Sequence, residues 1–369
     1  MGRQRAAKYI VESRYGPEMV INGRPFINFG GCGYLGLHGR EELIQAGREA
    51  FQKYGISSGL SRHYDFSNDP LLDTEEKAAE YFGTESALYL ASGYLTTMVA
   101  AWGLADRFDA AFLDQTAHYS VSDAATLTGK PVHRFAHCDP EDLRRKLKAH
   151  LTGGQVPLVM SDGVFPTFGE IAPVDEYLKA VEPYDGLIFL DEAHSVGVVG
   201  PHGYGSFDHF GLDSERIFFG GTLSKAFCSH GGIIPGGREY IERLRSCHVV
   251  RGASAPAAPC AAASAKSLEI VMRHPELKAQ LWSNVRMVKD GMRGLGIEMN
   301  DTEVPIVTFS LGSADAMARV HQGLLERGIL VLHSHYIGAG EGGALRHAVF
   351  ANHTHEHIRR LLDALKELL

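Results

Sequence analysis

The sequence LIFLDEAH at Leu187–His194 and the sequence IFFGGTLSK at Ile217–Lys225 decide the fold of this chain. Each begins with a short apolar run of the kind that forms a strand buried on both faces of a sheet. Each run is followed by a charged side chain, which is Asp191 in the first segment and Lys225 in the second. In open α/β sheets, ligands bind beyond the carboxyl ends of the strands. The two segments therefore predict a binding site with an acid and a lysine at one edge of a buried sheet.

An acid and a lysine in these positions predict a site for pyridoxal 5′-phosphate (PLP). A lysine among small residues suits a Schiff base, and an acid suits the cationic nitrogen of the pyridine ring. Alone, Asp191 could equally be a helix cap or a loop acid, and Lys225 could be a surface lysine. The apolar residues Phe218 and Phe227 near Lys225 indicate partial burial. Because burial lowers the pKa of an amine and makes it nucleophilic, the pair favours the cofactor site.

Length, composition and charge argue against several classes of protein. The chain has 369 residues, enough for two domains, and its net charge of −8 argues against a nucleic-acid-binding surface. The segment Met1–Arg5 lacks the apolar run of a signal peptide, and no apolar stretch is long enough to span a bilayer. Five scattered cysteines without a CxxC pair predict reduced thiols in the cytoplasm. The 19 histidines show no metal-ligand spacing, so no metal site is predicted.

The order of apolar and polar segments predicts an α/β protein. Short apolar runs alternate with helical segments from Ala87 to Ile234, which predicts βαβ units and a mainly parallel sheet. The predicted divisions are an N-terminal arm at residues 1–45, a large cofactor-binding domain at residues 46–250, and a smaller C-terminal α/β domain at residues 251–369. Within the arm, Asn22–Gly23 predicts the turn of a β-hairpin.

Other segments are interpreted one by one. The glycine-dense segment Asn28–Leu37 is either a series of turns or a place where the backbone approaches a ligand. Residues Ile56–Asn68 have few apolar side chains and predict a loop long enough to suggest a function. After the alanine- and serine-rich segment Arg251–Ala265, a single long helix is expected to end near Gly294. One strand is expected over Ile329–His333.

Three further candidates have more than one interpretation. The letters DEAH at Asp191–His194 match a helicase box, but a helicase needs a GxxxxGK[ST] phosphate loop, and Gly220–Ala226 does not fit it. Gly93–Tyr94 opens a predicted helix, so it could bind a phosphate through backbone N–H groups or form only a tight turn. His118 could cap a helix, pack in the core or stack on a planar ring. The helicase interpretation is rejected, and the other two stay open on the residues alone.

Taken together, several motifs resemble those of the α-oxoamine synthases, which are PLP enzymes of fold type I. The resemblance is closest at Asp191–Ser195, which spaced glycines follow, and at Gly221–Ala226. The glycines are Gly197, Gly200, Gly203 and Gly205, and the other matching segments are Tyr34–Leu37, Ser61–Arg62, Ser92–Tyr94, Asp162–Phe165 and His353–Thr354. The resemblance runs from Asn28 to the last predicted helix. It implies a fold type I PLP-dependent transferase that forms a homodimer with its active site at the subunit interface.

The resemblance implies a role for each residue of the site. Lys225 forms the Schiff base and removes the Cα proton, and Asp191 pairs with the pyridine nitrogen. His194 hydrogen-bonds the phenolic oxygen, and His118 stacks on the ring. The other implied cofactor contacts are Gly93, Tyr94, Asp162, Thr222 and, against the partner subunit's cofactor, Ser254. The implied substrate contacts are Cys32, Arg62 and Arg346, with the planar guanidinium of Arg346 holding the amino-acid carboxylate.

The implied reaction condenses a small amino acid with an acyl thioester of CoA or a carrier protein, usually with loss of CO2, to give an α-aminoketone. The substrate side departs from the family pattern, because Cys32 stands where relatives usually have asparagine and Pro166 where they usually have serine. Gly252–Ala253 replaces a serine/threonine pair that usually reaches the partner's phosphate. Transamination, aldol-type cleavage or a catalytically silent scaffold therefore remain alternatives. The presence of Lys225 and Arg346 argues against the silent scaffold.

Overall fold

The computed structural model describes residues 9–64, 66–335, 339 and 341–369, so residues 1–8 of the predicted arm lie outside the described part. The hairpin predicted in the arm is present, as β1 (Glu18–Ile21) and β2 (Arg24–Asn28). Asn22 and Gly23 connect the two strands with φ angles of 48° and 72°. This left-handed backbone is what a two-residue hairpin turn requires.

Two helices follow the arm, α1 (Glu41–Tyr54) and α2 (Asp69–Phe82). The segment between them is mostly loop, as predicted, with one 3-10 turn over Arg62–Tyr64. α2 begins at Asp69 because the Asn68 side chain accepts a hydrogen bond from the N–H of Leu71.

The central sheet has seven strands, and a small separate hairpin interrupts their order along the chain. The strands are β3 (Ser86–Leu90), β4 (Ala110–Asp114), β5 (Val132–Phe135) and β6 (Pro157–Asp162), then the separate hairpin β7 (Val164–Phe165) and β8 (Glu170–Ile171), then β9 (Leu187–Asp191), β10 (Ile217–Thr222) and β11 (Gly232–Gly236). Across the sheet the order is β3-β11-β10-β9-β6-β4-β5, and β11 alone runs antiparallel to its neighbours. The predicted mainly parallel sheet is confirmed.

Helices cover both faces of this sheet. They are α3 (Tyr94–Leu104), α4 (Tyr119–Leu127), α5 (Pro140–His150), α6 (Val174–Val181) with a 3-10 turn over Glu182–Tyr184, α7 (Ser206–His209), α8 (Arg238–Arg245) and α9 (His248–Gly252). Strand β9 shows how the two faces are filled. Phe189 belongs to an apolar cluster with Val99 of α3, whereas Ile188 and Leu190 belong to another with Tyr177 of α6. A strand that is buried on both faces of the sheet has a continuous run of apolar residues in its sequence.

The register of the parallel strands brings polar residues together at one edge. Asp162 ends β6 and pairs with Asp191 at the end of β9, which in turn pairs with Gly220 of β10. Because the carboxyl ends of parallel strands meet at the same edge, the two acids lie beside the segment that leads to Lys225.

The described residues of the C-terminal part form four helices and four strands, and the strands belong to two small sheets. Its elements are α10 (Ala258–Arg273), α11 (Glu276–Gly294), β12 (Ile306–Phe309), α12 (Ala314–Glu326), β13 (Ile329–Leu330), β14 (Leu332–Ser334), β15 (Ala344–Ala348) and α13 (His355–Leu368). Strands β12, β15 and β14 form an antiparallel sheet, and β13 joins the arm hairpin.

Two sequence predictions for this part are wrong. The expected single long helix is broken between α10 and α11, because Pro275 disfavours helical backbone at His274, which has φ −127° and ψ 65°. The expected single strand over Ile329–His333 is two strands in different sheets. β13 pairs in parallel with β2, whereas β14 pairs antiparallel with β15. One apolar run cannot show by its sequence that the chain changes partners within it.

The arm and the C-terminal part are tied together by backbone hydrogen bonds. The N–H of Ala348 donates to the carbonyl of Phe29 at 2.7 Å, and the N–H of Ala351 donates to the carbonyl of Tyr34 at 2.7 Å. α10 also packs against both α1 and α2. The division at residues 45 and 250 stays a prediction, but these bonds place the arm beside Arg346 of β15.

Candidate active site

A cavity of about 230 Å³ lies at the carboxyl ends of β6, β9 and β10. Its lining residues are Ser92, Gly93, Tyr94, His118, Ser120, Asp162, Asp191, Ala193, His194, Thr222, Ser224 and Lys225. The structure therefore brings together every residue predicted to contact the cofactor except Ser254.

One wall of the cavity is a polar cradle between the start of α3 and the end of β10. A Cβ atom on Gly93 would lie 2.8 Å from Cβ of Thr222, closer than real side chains pack. The helix can therefore approach the strand only because residue 93 is glycine. Thr222 Oγ1 lies 2.7 Å from Ser224 Oγ at the same place. Hydroxyl groups beside a helix N-terminus fit the phosphate of PLP.

Asp162 and Asp191 are both buried and lie side by side at the ends of β6 and β9. Burial, and after it the charge of Asp191, raises the pKa of Asp162 well above its usual range. Asp191 accepts hydrogen bonds from Ser120 Oγ at 3.2 Å and from the N–H of Ala193 at 3.1 Å, which hold its carboxyl group in place. Asp191 lines the cavity at the end of β9, where an acid can pair with a cationic nitrogen. Asp162 Oδ2 accepts a hydrogen bond from the backbone N–H of His118 at 2.7 Å, and this bond positions His118.

Lys225 follows β10 at the cavity. Burial lowers the pKa of its amine, and the positive charge of Arg346 acts in the same direction, while Cys32 and Asp191 oppose them. At a given pH, a larger fraction of the Lys225 amine is therefore neutral than in a surface lysine. A nucleophile or a base requires this neutral form.

His194 and Tyr34 form a hydrogen bond that holds the imidazole in place. Tyr34 Oη lies 2.7 Å from His194 Nδ1. Burial lowers the pKa of His194 well below its usual range and raises the pKa of Tyr34 well above its own, so both are neutral near pH 7. Because Tyr34 occupies Nδ1, Nε2 is the ring nitrogen left for a ligand.

Arg346 and Cys32 lie next to this pair. Arg346 Nη2 donates to Tyr34 Oη at 3.2 Å and to Cys32 Sγ at 3.3 Å. Burial by itself would raise the pKa of Cys32, but the charges of Arg346 and Lys225 bring it below its usual value. Arg346 Nε is buried and makes no hydrogen bond to the described residues. That N–H is a donor aimed at no protein group, as a carboxylate-binding arginine requires.

His118 forms another side of the cavity. It caps α4 by accepting the N–H of Ser120 at Nδ1, at 3.1 Å. Burial lowers the pKa of its imidazole, so the ring is neutral near pH 7. A neutral ring fixed at a helix start offers a flat face for stacking, and the capping and stacking interpretations are compatible.

Tyr34 and Ser120 belong to the site but were not predicted as site residues. Tyr34 lies in the glycine-dense segment Asn28–Leu37, where close approach to a ligand was one of two interpretations. Ser120 had no sequence signal, because its hydrogen bond to Asp191 joins residues 71 positions apart.

Four predicted residues do not line the cavity of their own chain. Cys32 and Arg346 lie beside it, next to Tyr34 and His194. Ser254 is exposed and forms an isolated β-bridge with Ser61, and its role across a subunit interface stays a prediction. Arg62 donates to Glu75 Oε1 at 2.6 Å and to the carbonyl of Tyr89 at 2.6 Å, which are the contacts of a buried ion pair, and its role as a substrate contact stays a prediction.

Comparisons with known proteins agree with this geometry. The family model for class I and II aminotransferases matches residues 24–365. The chain is 31% identical to 8-amino-7-oxononanoate synthase 1 of Bacillus velezensis, over 96% of this chain and 91% of that protein. It is 30% identical to serine palmitoyltransferase of Sphingobacterium spiritivorum, over 96% and 89%. A solved high-resolution structure of SPT with its PLP internal aldimine superposes with a TM-score of 0.91 at 28% identity, covering 98% of this chain and 92% of that one.

Proposed function

Because the chain belongs to the class I and II aminotransferase family, and within it to the α-oxoamine synthases, we propose that it is a PLP-dependent acyltransferase. It condenses a small amino acid with an acyl thioester, with loss of CO2, to give an α-aminoketone. The observation that carries this function is the convergence of Lys225, Asp191, His194 and His118 on one cavity. When bound, PLP supplies an electron sink that stabilises negative charge at Cα of the amino acid.

The cofactor contacts follow from the charges and donors described above. Asp191, at the end of β9, would hold the pyridine nitrogen in its cationic form. His194 would contact the phenolic oxygen through Nε2, because Tyr34 occupies Nδ1. The cradle at Gly93 and Thr222 would bind the phosphate, and His118 would stack on the ring.

Lys225 moves the proton, and Arg346 holds the substrate. Because the pKa of Lys225 is lowered, a larger fraction of its amine is neutral and able to accept the Cα proton of the bound amino acid than in a surface lysine. Arg346 binds the carboxylate through its unpartnered Nε and through Nη2, which now contacts Cys32. The hydrogen bond from Arg346 to Tyr34 connects the carboxylate site to His194.

The experiment that tests this function is an absorption spectrum of the purified protein with PLP, before and after separate additions of glycine, alanine and serine. We expect a near-visible band that is absent from Lys225→Ala and shifts with the amino acid that is used. With that amino acid and an acyl thioester, CO2 and the free thiol are the expected products. A keto acid or an aldehyde would instead indicate transamination or aldol-type cleavage, and no band would indicate a silent homologue.

The proposal includes a homodimer with active sites at the subunit interface. Ile56, Tyr64 and Phe66 are 70%, 63% and 66% exposed, although they are large and apolar. They lie in the loop that contains Arg62 and bridges to Ser254. If a second copy of the chain covered this surface, Arg62 and Ser254 of the first copy would lie near the cavity of the second. A monodisperse, active monomer in light scattering would contradict the dimer.

We also propose that the protein acts in the cytoplasm. All five cysteines are free thiols in the structure. Within the described ranges, the helices are too short or too polar to cross a lipid bilayer. Cell fractionation with an antibody against the native protein tests the location.

A further inference from the structure

A second cluster of reactive side chains lies outside the cofactor cavity, at the same edge of the central sheet. Asp114 ends β4, and His137 and Cys138 follow β5, the neighbouring parallel strand. A carboxylate oxygen, an imidazole nitrogen and the thiol sulfur of these residues all lie within 4.8 Å of one another. Nitrogen, sulfur and carboxylate oxygen are the ligand atoms that Zn²⁺ takes in proteins.

The imidazole of His137 is oriented as in a metal site. Its Nε2 lies 2.9 Å from Glu170 Oε2, and its Nδ1 lies 2.6 Å from Thr116 Oγ1 and 3.3 Å from Asp114 Oδ1, so a metal ion on Nδ1 would displace the Thr116 hydroxyl. Histidines that bind metals usually donate their other ring N–H to a carboxylate, which fixes the tautomer. The rings of Phe165 and Phe168, with centroids 4.5 and 4.7 Å from the imidazole, hold it in this orientation.

The other two ligands are also held in place. The side chain of Asp114 is fully buried, and its Oδ2 accepts the backbone N–H of Cys138 at 2.9 Å. Cys138 has φ 49°, a left-handed backbone that is uncommon for a residue other than glycine. The bond to Asp114 therefore keeps the thiol beside the carboxylate at some conformational cost.

A buried hydroxyl group borders the cluster. Tyr177 is fully buried, and its hydroxyl has Cys138 and Ser161 near enough to serve as hydrogen-bond partners. Buried hydroxyl groups are usually hydrogen-bonded, and a Cys138 thiolate on a metal ion would accept a stronger hydrogen bond from Tyr177 than the thiol does.

We propose that Asp114, His137 and Cys138 bind one Zn²⁺, with water as the fourth ligand. On binding, the Cys138 thiol and Nδ1 of His137 each lose a proton to solvent, and the sulfur and Nδ1 form bonds to the metal. A thiolate and an imidazole favour zinc over the hard cations Mg²⁺ and Ca²⁺. This site is independent of the proposed acyltransferase activity.

The zinc ion would act as a brace between two parts of the molecule. Asp114 begins the segment that leads to His118 in the cofactor cavity. Glu170 lies on the β7–β8 hairpin and also accepts a hydrogen bond from Asn300 Nδ2 of the C-terminal part at 2.8 Å. The metal therefore joins the ends of β4 and β5 to a hairpin that supports the other part of the chain.

The test uses the full-length protein, stripped with a chelator and titrated with Co²⁺ and then Zn²⁺. We expect one metal ion per chain by mass spectrometry under native conditions, and a thiolate-to-cobalt charge-transfer band in the near ultraviolet. Cys138→Asn should lose the band, because asparagine tolerates left-handed backbone but supplies no thiolate. Cys260→Ser, which removes a thiol from α10, is the matched control and should keep the band.

A second variant and a thermal measurement complete the test. Glu170→Gln should weaken Zn²⁺ binding about 10- to 100-fold, as the loss of an outer hydrogen-bond partner does in other metal sites. Zn²⁺ should raise the Tm of the wild type but not of Cys138→Asn. Absence of stoichiometric metal in the wild type would overturn the proposal and leave His137 as a bridge between two carboxylates. A band that persists in Cys138→Asn would overturn it as well.

Discussion

The proposed cofactor side of the site and its proposed substrate side are built in different ways. The proposed cofactor side consists of residues at the ends of parallel strands in one sheet, such as Asp191 and Lys225. The proposed substrate side consists of Cys32 and Tyr34 from the arm and Arg346 from a separate antiparallel sheet. The first arrangement is set by strand register, whereas the second depends on how the arm packs against the C-terminal part. The difference indicates that the choice of substrate can change while the cofactor chemistry is kept.

Loss of Lys225 should have the largest effect, because it removes the base from the cofactor side. We expect Lys225→Ala to lower turnover by about 10⁴-fold, the upper end of what a positioned acid or base contributes. The measurement is the rate of CO2 and thiol release, with circular dichroism to show that the fold persists. Lys179→Ala, which removes a lysine from an exposed ion pair on α6, is the control and should leave the rate unchanged. Substantial residual turnover would count against Lys225 as the base.

The next largest expected effect is that of Arg62→Ala on the free energy of unfolding. It tests whether Arg62 stabilises the fold or contacts the substrate. Arg62 and Arg245 both contact buried Glu75, at 2.6 and 2.8 Å. Arg62→Ala should lower the free energy of unfolding by about 3 kcal/mol, the lower end for a broken buried ion pair, because Arg245 still neutralises Glu75. Arg293→Ala, in an exposed pair, should cost less than about 1 kcal/mol. Chemical denaturation measures both.

The same ion pair predicts a pH dependence. Burial by itself would raise the pKa of Glu75, but Arg62 and Arg245 bring it below its usual value. A carboxyl group with a depressed pKa stabilises the fold above its unfolded pKa and loses that contribution as the pH falls through the folded value. In Arg62→Ala the folded pKa of Glu75 should rise toward the unfolded value, so this contribution should be smaller and should be fully lost at a higher pH than in the wild type. Identical acid-unfolding curves, or an unchanged stability with a weaker substrate affinity, would support a substrate role instead.

Arg346 tests the substrate side directly. Arg346→Ala should weaken amino-acid binding roughly 10- to 100-fold, because it removes a charged hydrogen-bond donor from the carboxylate site. The near-visible band of the cofactor should persist, since Lys225 and Asp191 are untouched. Spectral titration with the amino acid measures the affinity, and Arg327→Ala, an arginine in an exposed ion pair, is the control. Loss of the band together with the affinity would mean that the two sides are not separable.

The sequence predicted the cofactor side better than the rest for physical reasons. Asp191 and Lys225 follow apolar runs whose ends must meet in a parallel sheet, so local patterns were enough to place them. Tyr34 and His194 are 160 positions apart, and their contact depends on the packing of the arm. The cluster at Asp114 and Cys138 was missed because its ligands come from the ends of two strands, without a short spacing. Pro275 did carry a local signal for the helix break, but the helical composition on both sides concealed it.

The smallest effect concerns Cys32, which stands where relatives usually have asparagine. Its pKa is lowered by Arg346 and Lys225 against the effect of burial, whereas burial raises the pKa of Cys260. Near neutral pH, iodoacetamide should alkylate Cys32 faster than Cys260, because a lower pKa gives a larger thiolate fraction at the same pH. As the pH falls, Cys32 should keep its reactivity to a lower pH than Cys260. Peptide mapping by mass spectrometry measures both rates.

The effect of a bound amino acid on the rate of Cys32 alkylation tests whether Cys32 lies on the proposed substrate side. Arg346 Nη2 now donates to Cys32 Sγ at 3.3 Å. An amino-acid carboxylate on Arg346 takes over that donor, so the thiolate loses a stabilising hydrogen bond and alkylation should slow a few-fold, roughly the worth of one such bond. The cofactor band of the alkylated protein should remain. A rate that the amino acid does not change would show that Arg346 binds no carboxylate beside Cys32, and would place amino-acid recognition elsewhere in the site.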